Sequence, residues 1–171
     1  MNFDVSRLKP TNLVPSVISV HPLSPDYVQP VTLMVGELLH EIMRVIDVPA
    51  FDFDHDSTAK RLSAFIDDGI YDGFVAFDDA KAIGFATVYQ SHSLYGNGAY
   101  GTIPELFVRP SHRSRGIGKQ LLAALAGNAA GRGWTMLEVT TPPLPSFDRT
   151  LSFYERSGFE ITGGRKLKLK L

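Results

Sequence analysis

There is no cysteine in this sequence, and that removes disulfides, thiolate nucleophiles and cysteine metal ligands together. Long apolar runs are also missing: nothing approaches the ~20 residues needed to cross a bilayer. Met1 to Pro10 is mixed and polar, without the apolar centre of a signal peptide. A cytoplasmic protein with no membrane partner is the expectation. Nor is there an excess of either charge. Seventeen basic residues against 18 acidic ones leave a formal net charge of −1, which gives no overall pull toward nucleic acid or anionic lipid. Phosphate chemistry in such a chain has to come from a local basic patch. Core material is plentiful, since 44% of the 171 residues are hydrophobic and 20% charged. One mixed α/β domain over residues 1–171 is expected, with 1–15 as an N-terminal extension, and no internal repeat or linker interrupts it.

Periodicity supplies the elements. A short β-like run, Ser16 to Val20, is followed by Val31, Met34, Val35, Leu38, Ile42, Val45 and Ile46 at helical spacing. Pro30 suits the first turn of that helix and Pro49 lies past its last. A second helix is expected from about Ser57 to Ile66, capped by Asp56 or Ser57. Phe74 to Phe77 and Ala82 to Tyr89 read as a hairpin about Asp78-Asp79-Ala80-Lys81. Asn97-Gly98 marks another turn, and a strand from about Tyr100 to Val108 ends before Pro110. Ile117, Leu121, Leu122, Leu125 and Ala129 describe a helix stopped by Gly131 and Gly133. Then come a strand over Met136 to Thr140, a stiff Pro142-Pro143-Pro145 connection, and a short helix over Asp148 to Ser157. Arg165 to Leu171 alternates basic residues with leucine, as a strand with Lys166, Lys168 and Lys170 on its wet face.

The basic patch sits at Val108-Arg-Pro-Ser-His-Arg113-Ser114-Arg115-Gly116-Ile117-Gly118-Lys119. Strand, glycine-bearing loop and helix follow one another directly. A helix start offers unpaired N–H groups and partial positive charge, and glycine lets an anion approach them closely. Arg113, Arg115 and Lys119 add full charges. A phosphate loop for nucleotide triphosphates does not fit, because Gln120 stands where a magnesium-holding hydroxyl belongs. A dinucleotide fingerprint fails at Leu121, where its third glycine belongs.

The pattern Arg113-x-x-Gly116-x-Gly118, preceded by Glu105-Leu-Phe-Val and followed by Lys-Gln-Leu-Leu, resembles the pyrophosphate loop of the GCN5-related N-acetyltransferase (GNAT) family. Leu151-Ser-Phe-Tyr154-Glu-Arg-Ser-Gly158-Phe159 is similar to that family's second block, and the resemblance covers about residues 70–165. It implies a twisted, mostly antiparallel sheet with helices on both faces, and a splayed strand pair that admits acetyl-CoA as the acyl donor. Donor contacts would then come from Phe107, Val108, Arg113, Ser114, Arg115, Gly116, Ile117, Gly118 and Lys119. The family's bulged strand would turn the Val108 N–H toward the thioester. Tyr154 would be the general acid and Glu105 the proton acceptor near the amine. With no cysteine to carry an acyl group, attack would be direct, within a ternary complex, and no metal is called for.

On their residues alone these roles have plainer alternatives: Tyr154 as a core tyrosine at a helix end, Glu105 as an ordinary strand residue. Gly158 in a left-handed conformation would fold Phe159 back onto Tyr154. The family's frequent Asn seven residues before the tyrosine is Phe147 here, and Thr150 replaces a common Ala, leaving Ser146 or Asp148 beside the donor arm. Asp52, Asp54 and Asp56 lie where relatives build an acceptor site. They either attract a cationic amine or are solvated caps, and Asp54 with His55 gains no further metal ligand at useful spacing. His112 reads as a packing residue of the loop. The acceptor would be a small-molecule or peptide amine, the protein being compatible with a homodimer. The same loop would also serve a module that binds acyl-CoA without turnover.

Overall fold

Hydrophobic alternation through the middle of the chain builds a six-stranded sheet, and the helical stripes on either side of it in sequence cover opposite faces. The computed structural model describes residues 17–94, 98–162 and 166–169. Its elements are β1 (Ile18–Pro22), α1 (Val28–Ile46), α2 (His55–Asp67), β2 (Tyr71–Asp78), β3 (Lys81–Ser93), β4 (Gly98–Ile103), β5 (Leu106–Val108), α3 (Ile117–Gly131), β6 (Leu137–Val139) and α4 (Asp148–Glu155). Strand order is β1-β2-β3-β4-β6, with β5 paired to β3 beyond the end of β4. All pairings are antiparallel except β4 with β6.

Val28, Val31 and Met34 of α1 and Ala59 and Leu62 of α2 pack against Val75, Phe85 and Phe107 on one face. Ile117, Leu121, Leu122 and Leu125 of α3, with Tyr154 of α4, pack against Ala76, Ala86, Val88, Ile103 and Val108 on the other. The hairpin turn falls at Asp79, whose φ of 52° suits a residue that tolerates the left-handed region. α2 is capped by Asp54, not by Asp56 or Ser57: its side chain accepts from the Ser57 N–H at 2.8 Å. α4 closes as the sequence suggests. Gly158 has φ 90°, and the N–H groups of Phe159 and Gly158 reach the carbonyls of Tyr154 and Glu155 at 3.1 and 3.0 Å, the paired bonds of a Schellman stop.

Two further expectations change. The strand expected from Tyr100 to Val108 is broken in two. Between the Tyr89–Thr102 and Ala86–Leu106 pairs, β3 has two residues (87 and 88) while the facing strand has three (103–105). The extra residue makes a bulge. Pro104, which has no N–H to give a ladder, sits in it. The bulge reverses the side-chain phase, so Ile103 joins the α3 core while Phe107, on the parity of Glu105, joins the α1–α2 core. The other change is at the end, where residues 166–169 are exposed and form no strand. Ser16, Asn97, Arg165, Lys170 and Leu171 lie outside the described residues.

Candidate active site

Among the described residues β6 pairs only with β4 and β5 only with β3, so the sheet opens into a V between β5 and β6. Backbone alternation decides what faces the gap. Thr87 N–H bonds Glu105 O at 3.0 Å and Arg109 N–H bonds Ile83 O at 2.9 Å. In this register Val108 lies between the hydrogen-bonded pairs, so its N–H and C=O point away from β3 and into the V. The carbonyl accepts from Arg113 Nε at 2.8 Å. A cleft of about 700 Å3 occupies the opening, lined among others by Glu105, Val108, Gly116, Lys119, Phe153 and Tyr154.

The α3 start forms one end of this cleft. Its N-cap is Gly116 at φ 79°, and no side chain caps the helix. Ser114 is also left-handed, at φ 62°. Alternating left-handed residues turn successive N–H groups to one side, as anion-binding nests do. The two glycines do different work. A Cβ on Gly116 would meet nothing within 4 Å, whereas one on Gly118 would stand 3.0 Å from the Phe153 ring. Gly116 faces open space, and Gly118 leaves room for α4.

The three cations are not equivalent. The Arg113 guanidinium is forked onto Glu41, at 2.9 and 2.7 Å, and stands over the Phe107 ring at 5.6 Å. Arg109 makes a parallel fork onto Glu37, at 2.6 and 2.9 Å. Two arginines four residues apart thus grip two glutamates four residues apart on α1. Arg115 reaches Asp78 at 3.2 Å, a carboxylate it shares with His112 at 3.4 Å. Lys119 is exposed and has no ion-pair partner among the described residues. Ile117 is buried in the α3 core and contributes backbone only; Phe107 is mostly buried beneath Arg113.

Tyr154 is 5% exposed and held edge-on between Phe153 and Phe159, at 5.2 and 5.3 Å between ring centroids. Burial pushes its phenol up to about 12, so it keeps its proton at any physiological pH. Glu105 reaches the cleft from the bulge. Burial pushes its carboxyl above the ordinary value, and a hydrogen bond donated by the Thr87 hydroxyl acts in the opposite direction. Tyr71 and Tyr89 stack nearby, 6.1 Å apart, and the Tyr71 phenol is pushed up by burial and by the Glu105 charge. Phe147, in the place of the family's frequent Asn, is buried at the start of α4 and lines the cleft.

Asp54 is occupied as a helix cap, and hydrogen bonding from the Ser57 side chain and then its backbone N–H holds its carboxyl below the usual range; Asp56 contacts His55. Among the described residues no group of three His, Asp or Glu side chains converges as metal ligands, and no helix is long and apolar enough to span a membrane. The sequence reading overlooked Glu37, Glu41, Thr87 and Asp78. The matching four-residue spacings of Glu37/Glu41 and Arg109/Arg113 were visible, as was Thr87, the sole polar side chain between Ala82 and Val88.

A mostly antiparallel sheet splayed beside an uncapped, glycine-bearing helix start defines the N-acyltransferase class of fold. Residues 70–161 match the family model of the acetyltransferase (GNAT) domain, and the chain belongs to that family. It is 33% identical over 93 residues to an aminoglycoside N(6')-acetyltransferase type 1 of Salmonella typhimurium, a match spanning 52% of this chain and 62% of the relative. Among solved structures, an aminoglycoside N-acetyltransferase in complex with CoA superposes with a TM-score of 0.76 at 21% identity, covering 91% of this chain and 95% of that one. A GCN5-related N-acetyltransferase from Ralstonia eutropha JMP134 does so with a TM-score of 0.70 at 19% identity, covering 90% and 99%. These two likenesses establish the fold.

Proposed function

We propose that the protein is an acetyl-CoA-dependent N-acetyltransferase acting on a small-molecule amine. The observation that carries the reading is the V between β5 and β6, which opens a cleft onto the uncapped α3 start while Glu105 and Tyr154 line it. The donor's pyrophosphate would rest on the N–H groups from Ser114 to Lys119, with Lys119 supplying a full charge. Arg113 and Arg115 hold that loop from behind while adding to its positive potential. The Val108 N–H would donate to the thioester carbonyl oxygen as negative charge develops there. The amine nitrogen bonds to the acyl carbon and the carbon–sulfur bond breaks. Glu105 accepts the proton the amine gives up, directly or through water, and Tyr154 gives its own proton to the departing sulfur. The curated relative's acceptor class makes aminoglycosides the first amines to try.

The test combines two measurements. Acetyl-CoA should raise the melting temperature more than a pantetheine fragment without phosphates does. Release of free CoA thiol should then require an amine from a panel of aminoglycosides, diamines, neutral-tailed amines and peptides. Equal protection by the fragment sinks the phosphate grip. Protection without thiol release from any amine makes the protein a binding module.

A further inference from the structure

Thr87 holds Glu105 twice. Its backbone N–H bonds the Glu105 carbonyl at 3.0 Å, and its hydroxyl donates to Glu105 Oε2. Thr87 itself is 2% exposed and lies directly opposite the bulge that delivers Glu105. A β-branched residue has few χ1 choices, so its hydroxyl is fixed by the strand that carries it. The carboxylate receives one preset donor and keeps its other oxygen, Oε1, for a proton.

We propose that Thr87 is the positioning residue of the reaction, aiming the Glu105 carboxylate into the cleft and giving it a preset hydrogen-bond donor. The inference rests on the proton-acceptor reading of Glu105. A donor that binds the charged form opposes what burial does to a carboxyl. Without the hydroxyl, Glu105 would hold its proton to higher pH and would be free to turn. The other titratable groups are left in place by a change at Thr87. Tyr71 on β2 is electrostatically coupled to Glu105. Glu41 on α1, His112, Arg113 and Lys119 around the loop, and Arg149, Tyr154 and Arg156 in and just after α4 share the cleft.

The test uses Thr87→Val, which keeps the shape and removes the hydroxyl, and Thr87→Ser, which restores a hydroxyl in smaller form. The Glu105 carboxyl is followed by 13C NMR against pH, its signal assigned by its loss in Glu105→Gln. The midpoint should rise by at least about one unit in Thr87→Val and return toward the parent in Thr87→Ser. In turnover of acetyl-CoA with the best amine of the panel, Thr87→Val should lose an additional ~10-fold in kcat/KM below that midpoint, the deficit shrinking at alkaline pH to what the lost aim alone costs. An unmoved midpoint, or a loss equal at every pH, overturns the proposal. Survival of the parent's acid limb in Glu105→Gln overturns the proton-acceptor reading beneath it. A limb abolished by Glu105→Gln but untouched by Thr87→Val overturns the role of Thr87 alone.

Discussion

Replacing Arg113 with lysine keeps the positive charge of the loop and removes most of what the guanidinium does. Lysine has no counterpart of the Nε that bonds the Val108 carbonyl at 2.8 Å, and it cannot fork onto Glu41. The first loss is a part-buried hydrogen bond, about 1 kcal/mol. The fork is a half-exposed ion pair, ~0.5 kcal/mol after screening. The contact over Phe107 adds ~0.5 kcal/mol. A total of ~1–2 kcal/mol, at ~2–4 °C per kcal/mol for a chain of this size, predicts a fall of roughly 2–8 °C in Tm. Trp134 is the one tryptophan and is buried, so its emission reports the unfolding. Glu41→Gln should be less than additive with Arg113→Lys, because the two remove a shared contact. A Tm within ~1 °C of the parent, together with a raised KM for acetyl-CoA, would refute the reasoning. The guanidinium would then be a ligand for the phosphates and not a strut behind the loop.

Tyr154→Phe should lower kcat ~100-fold with donor KM nearly unchanged, because the ring stays packed between Phe153 and Phe159; turnover at the parent rate would make the tyrosine structural. Glu105→Gln should stabilise the protein in a pH-dependent way. Burial raises the folded carboxyl above its ordinary value near 4.5, so the stability it allows is full below that value and lost as pH rises through the folded one. The Tm gain of the variant should therefore be small at pH 4 and grow toward pH 8; a gain that does not grow refutes it. Gly116→Ala forces a side chain to φ 79°, costing ~1 kcal/mol, and adds a methyl to the proposed phosphate loop; donor KM should rise. Thermal protection by acetyl-CoA equal to that of the parent would show that the ligand does not approach Gly116. Asp52→Asn with Asp56→Asn, leaving the Asp54 cap intact, should lower the kcat/KM ratio of a diamine over a neutral-tailed amine if loop charge steers the acceptor. An unchanged ratio, in the variant and in high salt, removes the loop from substrate choice.

Much of the fold could be read in the sequence because it rests on local signals. The apolar stripe of α1, the Asp79 turn and the Gly158 stop each depend on residues within a few positions of one another. The Tyr154–Phe159 contact was legible for the same reason. What escaped depends on partners distant in sequence. Glu37 and Glu41 lie 72 residues from the arginines they hold, and a helix surface rich in glutamate looks like ordinary solvated surface. The bulge was expected closer to Val108 but falls at Pro104–Glu105, since register comes from pairing with β3 and not from the strand's own composition. The cap of α2 was misplaced because Asp54, Asp56 and Ser57 all have suitable side chains, and only the backbone's turn at Asp54 selects among them. That the missing Cβ of Gly118 also makes room for Phe153 is a contact between elements that no spacing rule encodes.

The extra residue opposite Thr87 also constrains how this chain can change. A strand normally speaks to each face through every second position. Here the count is reset midway, so Ile103 addresses the core under α3 while Glu105 answers to the opposite side. Loss of Pro104 would therefore leave two residues facing two, with Ile103 still on the α3 side and Phe107 still beneath α1 and α2. What such a deletion removes is the irregularity itself: the ladder on β3 would close, and the local bend from which Glu105 reaches the cleft would go with it. Libraries that vary this segment should hold its length fixed to keep that bend.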